Sequence, residues 1–288
     1  MSKKIKLAKH SGFCYGVKRA VETVKKLKAQ NPNKNVFILG ELIHNSHVIK
    51  ELESLGIKTI SELPQKGDGI CVIRSHGASP EIFEQITNAG FEVVDLTCPD
   101  VKKVQKKAIQ LVQEGYFLII VGKAEHPEVI AIKASAERFG SNIFVASDVS
   151  QLKTIEQKIK DHKKVGVVVQ TTQRITTLNP IVEYLTSISK ELMVANTICN
   201  STTLRQNEAK ELAEESDLMI VVGSRKSANT THLAEILKGI SNTIHIEDDK
   251  ELKTYEDIIL DANNISITAG ASTPETIIEN VINKLKGG

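Results

Sequence analysis

Glu92-Val-Val-Asp-Leu-Thr-Cys98 is a strand-like run that ends in a cysteine, and a helical pattern follows it directly. Pro99 suits a first helical turn, and apolar side chains then recur at helical spacing as far as Val112. The same arrangement returns at residues 192–199 and, near the N-terminus, at residues 5–14. A strand, a cysteine and a helix in this order, three times in one chain, indicate an internal repeat.

Two further strand-like runs lie between successive cysteines, and each leads into a polar segment. In the three units, the first of these runs covers residues 36–40, 116–122 and 218–223. The polar segment that follows the second run covers residues 74–77, 170–172 and 269–273. Helical patterns separate the runs. Strands that alternate with helices predict an α/β fold with parallel sheets.

The repeat divides the chain into three similar α/β domains with small, mostly parallel sheets. The predicted boundaries are residues 14–97, 98–198 and 199–288, and the N-terminal strand of residues 1–13 completes the third domain. Ligands of parallel sheets gather at the carboxyl ends of the strands. Packing about a pseudo-threefold axis would therefore direct the cysteines and the polar segments to one centre.

The composition is that of an ordinary globular protein. The 288 residues are 41% hydrophobic and 25% charged, and 37 Lys and Arg nearly balance 35 Asp and Glu. This balance gives no support for nucleic-acid binding, which depends on clustered cations. The N-terminus lacks the apolar stretch of a signal peptide, and no run reaches the ~20 residues of a membrane span. We therefore expect a cytoplasmic protein whose four cysteines are not paired in disulfides.

Three of the four cysteines occupy equivalent positions and are candidate metal ligands. A single cytosolic cysteine is more often a small buried hydrophobe, and Cys71 fits that description because nothing in the other units matches it. Cys14, Cys98 and Cys199 each precede a helix, where the thiolate form is favoured. Thiolates bind zinc, copper or iron–sulfur clusters. Their wide spacing is unlike a structural zinc motif, and a symmetric set of three suits a cubane with one iron left open.

The polar segments carry side chains that could bind a phosphorylated ligand. Each has an ordinary alternative as a helix cap or strand end. At equivalent strand ends beside helix N-termini they could together hold phosphate. These side chains are His44, His76, His126, Ser227, Asn229 and Ser272.

Glu128 differs from these residues because it is a carboxylate in a region otherwise suited to an anion. Burial and a neighbouring anion would raise its pKa, as a proton donor requires. Thr171 could relay that proton or hold a substrate hydroxyl.

Eight short motifs, in order along the whole chain, resemble the family of 4-hydroxy-3-methylbut-2-enyl diphosphate reductases. They are Gly12-Phe-Cys-Tyr-Gly-Val-Lys-Arg-Ala20, Gly40-Glu-Leu-Ile-His-Asn45, Arg74-Ser-His-Gly77, Thr97-Cys-Pro99, His126-Pro-Glu-Val129, Gln170-Thr-Thr172, Thr197-Ile-Cys199 and Gly270-Ala-Ser-Thr-Pro274. As a set they are highly specific.

The resemblance implies a trefoil of three α/β domains around one 4Fe–4S cluster, with one iron free of protein ligands. It implies Cys14, Cys98 and Cys199 as the cluster ligands and Glu128, Thr171 and His126 as catalytic residues. The implied substrate-binding residues are His44, His76, His126, Thr171, Ser227, Ala228, Asn229 and Ser272. Ala228 stands where some relatives carry a second serine, and its backbone N–H could replace that contact.

The implied reaction is the reductive removal of the hydroxyl of 4-hydroxy-3-methylbut-2-enyl diphosphate, giving isopentenyl and dimethylallyl diphosphates. It is the last step of the non-mevalonate isoprenoid pathway, and ferredoxin or flavodoxin would supply the electrons. No nucleic acid or membrane partner is expected. Two alternatives are a non-catalytic zinc or thiol protein that captures a phosphorylated ligand, and a cluster-based redox sensor or electron carrier. Iron and sulfide content would separate the first alternative from the reductase.

Overall fold

The structure is a computed structural model that describes residues 3–287, and helices and strands alternate along this range. The strands are β1 (Lys4–Leu7), β2 (Val36–Leu39), β3 (Ile57–Ile60), β4 (Ile70–Ile73), β5 (Glu92–Asp95), β6 (Phe117–Val121), β7 (Ile143–Ala146), β8 (Lys164–Val169), β9 (Glu191–Val194), β10 (Leu218–Val222), β11 (Thr243–Ile246) and β12 (Asn264–Ala269). The helices are α1 (Tyr15–Gln30), α2 (Ser46–Ser54), α3 (Pro80–Asn88), α4 (Pro99–Gln113), α5 (Pro127–Glu137), α6 (Val149–Lys153), α7 (Glu156–Asp161), α8 (Ile175–Ile188), α9 (Asn200–Glu214), α10 (Ala228–Lys238), α11 (Glu256–Asp261) and α12 (Glu275–Leu285), with a 3-10 helix at Asp249–Tyr255.

The strands form three four-stranded sheets, and every strand pairing in them is parallel. The strand orders are β3-β2-β4-β5, β7-β6-β8-β9 and β11-β10-β12-β1. The two central strands of each sheet lie side by side: β2 and β4, β6 and β8, and β10 and β12. The predicted fold class, an α/β fold with three small parallel sheets, is confirmed.

The N-terminal strand belongs to the sheet of the C-terminal residues. Residues of β1 pair in register with β12, from Lys4 opposite Asn264 to Leu7 opposite Ile267. The first and the last strand of the described residues thus pair in one sheet.

The chain separates into two compact parts. The first part contains the residues up to Thr23, Ile43–Leu55 and the residues from Asn200 onward, and it includes the sheet of β10, β11, β12 and β1. The second part contains Val24–Leu42 and Gly56–Cys199, and it includes the other two sheets. The predicted domain boundaries at Cys98 and Cys199 stay predictions.

The sheets centred on β6 and β10 are covered by helices on both faces, and their central strands are continuous apolar runs. All five residues of β6 are buried, and successive side chains point to opposite faces. Phe117, Ile119 and Val121 pack on one face against α6, α7 and α8, while Leu118 and Ile120 pack on the other against α4 and α5. In the first part, β10 divides its side chains between α12 and the α9–α10 pair in the same way.

The cysteines do not end strands, and the expectation that a strand delivers each of them directly is wrong. The strands end three residues before Cys98, five before Cys199 and seven before Cys14. Side-chain hydrogen bonds follow the ends of β5 and β9. Asp95 accepts the backbone N–H of Thr97 at 2.9 Å, and the hydroxyl of Thr197 accepts the N–H of Val169 at 2.8 Å. Between these two strands and the cysteines that follow, side chains thus take part in the hydrogen bonding, and single backbone bonds to the neighbouring strands replace a regular ladder.

Within residues 3–287, no helix combines the length and the apolar character that crossing a membrane requires.

Candidate active site

The carboxyl ends of β6 and β8 form a crevice of the kind in which α/β proteins bind ligands. The chain leaves β6 towards β7 on one side and later enters β8 on the other, so the connections diverge between these two central strands. Such a topological switch point leaves space outside the strand ends. The loop after β6 leads to His126 and Glu128, and the loop after β8 carries Thr171.

Glu128 and Thr171 are joined by two hydrogen bonds across this crevice. The backbone N–H of Thr171 donates to Oε1 of Glu128 at 2.6 Å, and the Thr171 hydroxyl donates to Oε2 at 2.8 Å. Glu128 lies in the first turn of α5 and is only 1% exposed. Both carboxylate oxygens are therefore fixed by one neighbouring residue.

Burial raises the pKa of Glu128 from 4.5 to about 7, although both bonds from Thr171 act in the opposite direction. Desolvation penalises the charged carboxylate, whereas donors that point at it favour that form. The balance leaves a carboxyl group that gains and loses a proton near neutral pH. This is the property expected of a general acid.

His126 caps the helix that carries Glu128. Its Nδ1 accepts the backbone N–H of Glu128 at 3.2 Å, which satisfies one free N–H group at the start of α5. The ring of His76, from the loop after β4, lies edge-to-face with that of His126 at 5.5 Å between centroids. Two imidazoles from different sheets of the second part thus come together near the N-terminus of α5.

In the first part, polar side chains gather at the N-terminus of α10. Ser227 is the N-cap residue but makes no side-chain capping bond, and Ala228 and Asn229 form the first turn. Among the described residues, the buried Nδ2 of Asn229 has no hydrogen-bond partner. Ser272, which follows β12, donates its hydroxyl to the carbonyl of His44 at 3.4 Å. Backbone N–H groups at a helix start and uncommitted side-chain donors suit an anionic ligand.

Cys14, Cys98 and Cys199 share one structural position. Each is half-buried and immediately precedes a helix. The backbone N–H of each cysteine donates to the carbonyl of the second residue after a central strand: Ala271 after β12, Ser75 after β4 and Thr171 after β8. The predicted equivalence of these residues therefore extends to their backbone hydrogen bonds.

Cys71 has a different environment. It lies inside β4, is fully buried, and burial raises the pKa of its thiol to about 11. It packs in a core with Ile73, Ile86 and Phe91. A thiol in this position is structural, in agreement with the sequence analysis.

The structure assigns the predicted site residues to two groups. His76, Cys98, His126, Glu128, Thr171 and Cys199 belong to the second compact part, and Cys14, His44, Ser227, Ala228, Asn229 and Ser272 belong to the first. Two residues without a predicted role support these groups. Arg205 in α9 donates to the carbonyls of Ala269 and Gly12, at 2.6 and 2.9 Å, and so holds the loop before Cys14. Gln170 precedes Thr171 and is fully buried.

The fold and the site define a class of protein. It is a parallel α/β protein with three sheets, half-buried thiols at helix starts and a buried acid whose pKa is about 7. A model of the family described as LytB protein matches residues 5–286. The chain belongs to this family, which confirms the resemblance noted in the sequence.

The relatives are named as reductases. The 4-hydroxy-3-methylbut-2-enyl diphosphate reductase of Syntrophotalea carbinolica is 40% identical over 285 residues, covering 98% of both chains. That of Aquifex aeolicus is 40% identical over 282 residues, covering 97% of this chain and 95% of the relative. That of Clostridium tetani is 42% identical over 97% of this chain, which spans only 43% of that longer protein.

Two solved structures are similar over almost the whole chain. One is (E)-4-hydroxy-3-methyl-but-2-enyl diphosphate reductase, described as the terminal enzyme of the non-mevalonate pathway, with 38% identity, a TM-score of 0.75, and coverage of 99% of this chain and 100% of the other. The other is the E-1-hydroxy-2-methyl-but-2-enyl-4-diphosphate reductase from Plasmodium falciparum, with 28% identity, a TM-score of 0.88, and coverage of 99% and 88%.

Proposed function

We propose that this protein reduces 4-hydroxy-3-methylbut-2-enyl diphosphate by removing its hydroxyl group, giving isopentenyl and dimethylallyl diphosphates. This would be the last step of the non-mevalonate route to isoprenoid precursors. The names of relatives that match nearly the full chain support the substrate. The observation that carries the chemistry is Glu128, a buried carboxyl with a pKa of about 7 at the switch point of a sheet.

The reaction needs two electrons and two protons. A carbon–oxygen bond breaks, the hydroxyl leaves as water after taking one proton, and the carbon skeleton takes the other proton. A carboxyl group with a pKa near 7 can donate a proton at neutral pH and be reprotonated between turnovers. Glu128 is therefore the proposed source of protons, with His126 beside it at the start of α5.

Thr171 holds the proposed acid in a single orientation. Its N–H and hydroxyl each bond one oxygen of Glu128, so the carboxyl cannot rotate without breaking both bonds. When Glu128 is protonated, the Thr171 hydroxyl could instead donate its hydrogen bond to the oxygen of the substrate hydroxyl. We propose that Thr171 both orients the acid and helps to hold the leaving hydroxyl.

The thiols of Cys14, Cys98 and Cys199 fit a 4Fe–4S cluster. They are half-buried, have the same backbone hydrogen bond and precede helices, where a thiolate is favoured. When bound, such a cluster would supply electrons one at a time. We propose one cluster per chain, with one iron free of protein ligands, and exclude Cys71 from its ligands because that thiol is fully buried in the core.

The proposed diphosphate ligands are the neutral donors of the site. Ser227, Ala228 and Asn229 offer hydroxyl, backbone and amide donors at the start of α10, and Ser272 offers a hydroxyl. Helix N-termini favour anions, so phosphate could bind here without a lysine-rich loop. His44, His76 and His126 are the remaining proposed ligands.

The proposed electron donor is a ferredoxin or flavodoxin, and the proposed location is the cytoplasm, where such carriers work. Charges that nearly balance along the chain give no reason to propose a nucleic-acid partner.

Anaerobic purification followed by assay tests the proposal directly. We expect a brown protein with about four irons and four sulfides per chain. With a chemical reductant it should convert the hydroxylated diphosphate into two products that mass spectrometry identifies as the five-carbon diphosphates. A colourless protein with one zinc, or an iron–sulfur protein that leaves this substrate unchanged, would contradict the proposal.

A further inference from the structure

Gln170 connects the two loops that carry the acid and its partner. Its Oε1 accepts the backbone N–H of Lys123, after β6, at 3.2 Å, and its Nε2 donates to the hydroxyl of Thr172, after β8, at 3.1 Å. Its own backbone N–H donates to the carbonyl of Val121 at 2.9 Å. Through these bonds the side chain bridges the switch point from one strand end to the other, and it is fully buried.

The bridge requires a glycine at the end of β6. A methyl group on Gly122 would lie 2.8 Å from Oε1 of Gln170 and 2.8 Å from the side chain of Val129. Both distances are shorter than real contacts of a β-carbon. Gly122 therefore leaves the space in which the Gln170 side chain crosses between the loops.

The other two sheets have the same crossing with different side chains. In the second sheet of this part, a methyl group on Gly40 would lie 2.7 Å from the guanidinium of Arg74, the residue after β4. In the first part, Gly223 is approached by Thr273, whose hydroxyl donates to the carbonyl of Val222 at 3.0 Å. A glycine after the first central strand thus recurs with a polar side chain from the loop after the second. Gln170 differs from Arg74 and Thr273 in that its side chain bonds both loops beside a buried acid.

We propose that Gln170 is a positioning residue that holds Thr171 against Glu128 and thereby keeps the proton donor aligned. The inference rests on the proposed function for its catalytic meaning, but its structural content is independent of activity. The backbone N–H of Gln170 is bonded to Val121 and its side chain bonds the Thr172 hydroxyl, so Gln170 restrains both neighbours of the residue that donates to Glu128.

Replacing Gln170 with methionine keeps the length of the side chain and removes both of its hydrogen bonds. The Thr171 segment then loses its side-chain tie to Lys123 in the loop after β6, although the bond of the Gln170 N–H to Val121 remains, and its two bonds to Glu128 weaken. Because those bonds favour the charged carboxylate, the pKa of Glu128 should rise above its value of about 7. A misaligned donor should also lower kcat, by about 10- to 100-fold.

The matched control is Gln173→Met, a buried glutamine in the same loop for which the described residues show no side-chain hydrogen bond. Infrared spectra of the purified holoprotein, with Glu128→Gln as the blank, would follow the protonated carboxyl band over about pH 5 to 9. We expect the midpoint of the band to rise in Gln170→Met and to be unchanged in Gln173→Met. An unchanged or lowered midpoint in Gln170→Met would overturn the inference.

A second variant covers the case in which Gln170→Met fails to fold. Gly122→Ala retains Gln170 but crowds its Oε1 from the other loop. It should raise the midpoint of Glu128 in the same direction. The infrared readout needs no turnover, so a protein that is not this reductase but shows the shift would contradict the proposed function alone. Turnover with no shift in either variant would contradict the positioning role alone.

Discussion

Thr171 bonds both oxygens of the Glu128 carboxylate, through its backbone N–H at 2.6 Å and its hydroxyl at 2.8 Å. One residue thus fixes the orientation of the acid, while burial sets its pKa near 7 against the effect of these two bonds. The two influences can be separated by mutation. A substitution of Glu128 changes the acid itself, whereas a substitution of Thr171 changes only its hydrogen-bond partner.

Replacing Glu128 with glutamine should remove the proton donor and leave the site intact. The amide oxygen can still accept the Thr171 N–H, and the amide nitrogen can donate to the Thr171 hydroxyl, which then acts as an acceptor. We expect turnover to fall about 10²- to 10⁴-fold with little change in substrate binding or iron content. Steady-state kinetics and iron analysis would measure these effects.

Glu125→Gln is the matched control, because Glu125 lies in the same loop but is exposed. It should leave turnover unchanged. Normal turnover in Glu128→Gln would show that this carboxyl is not the acid.

The same substitution should change how stability depends on pH. The pKa of Glu128 is raised from 4.5 to about 7, so the folded protein binds this proton more tightly than the unfolded chain. Stability from this group is full below about pH 4.5 and is lost as the pH rises through about 7. The shift corresponds to roughly 3 kcal/mol. As the pH rises from about 4.5 through about 7, the free energy of unfolding of the wild type should therefore fall relative to that of Glu128→Gln.

Denaturant unfolding at several pH values would measure this difference. At about pH 8 the wild type must bury a charged carboxylate. The free energy of unfolding of Glu128→Gln, relative to that of the wild type, should therefore be highest there. Parallel curves for the two proteins would mean that Glu128 does not carry a raised pKa.

Thr171→Val should move the pKa of Glu128 upward. The substitution removes the hydroxyl that donates to Oε2 and keeps the N–H that donates to Oε1. A hydrogen bond to a charged group is worth about 1.5 kcal/mol or more, which corresponds to about one pH unit. The limb of the kcat–pH profile on which Glu128 loses its proton should therefore shift to higher pH by about that amount. Thr171→Ser keeps the hydroxyl and should restore the wild-type limb, whereas equal profiles for all three proteins would contradict the role of the hydroxyl.

The repeat made the fold predictable. Apolar runs and helical spacing locate the central strands, and the structure has β6 at residues 117–121 where the sequence pattern indicates 116–122. The edge strands were harder to bound. The Asp95 carboxylate bonds the Thr97 N–H, and the Thr197 hydroxyl bonds Val169 in the neighbouring strand; hydrophobic periodicity does not register side-chain bonds of this kind.

Sequence patterns single out candidate members of the site but not their bonding. Glu128 stands out because a carboxylate is unusual in a segment suited to anions, and Thr171 because it follows an apolar run. The bridge by Gln170 and the two carbonyl contacts of Arg205 join residues that are distant in the sequence. Only the parallel alignment of the strand ends brings those groups within hydrogen-bonding distance, and no spacing rule in one chain gives it.

The cysteines should differ in reactivity as they differ in burial. Cys98→Ser should lose most of its iron and sulfide, because serine is a poor substitute for a thiolate ligand, whereas Cys71→Ser should retain both at some cost in stability. In protein stripped of metal, iodoacetamide should label Cys14, Cys98 and Cys199, which are half-buried, before Cys71, whose thiol is fully buried with a pKa of about 11. Mass spectrometry of the labelled peptides and metal analysis of both variants would measure these outcomes. Iron retained in Cys98→Ser but lost in a folded Cys71→Ser would reverse the ligand assignment, because the core thiol would then bind the metal.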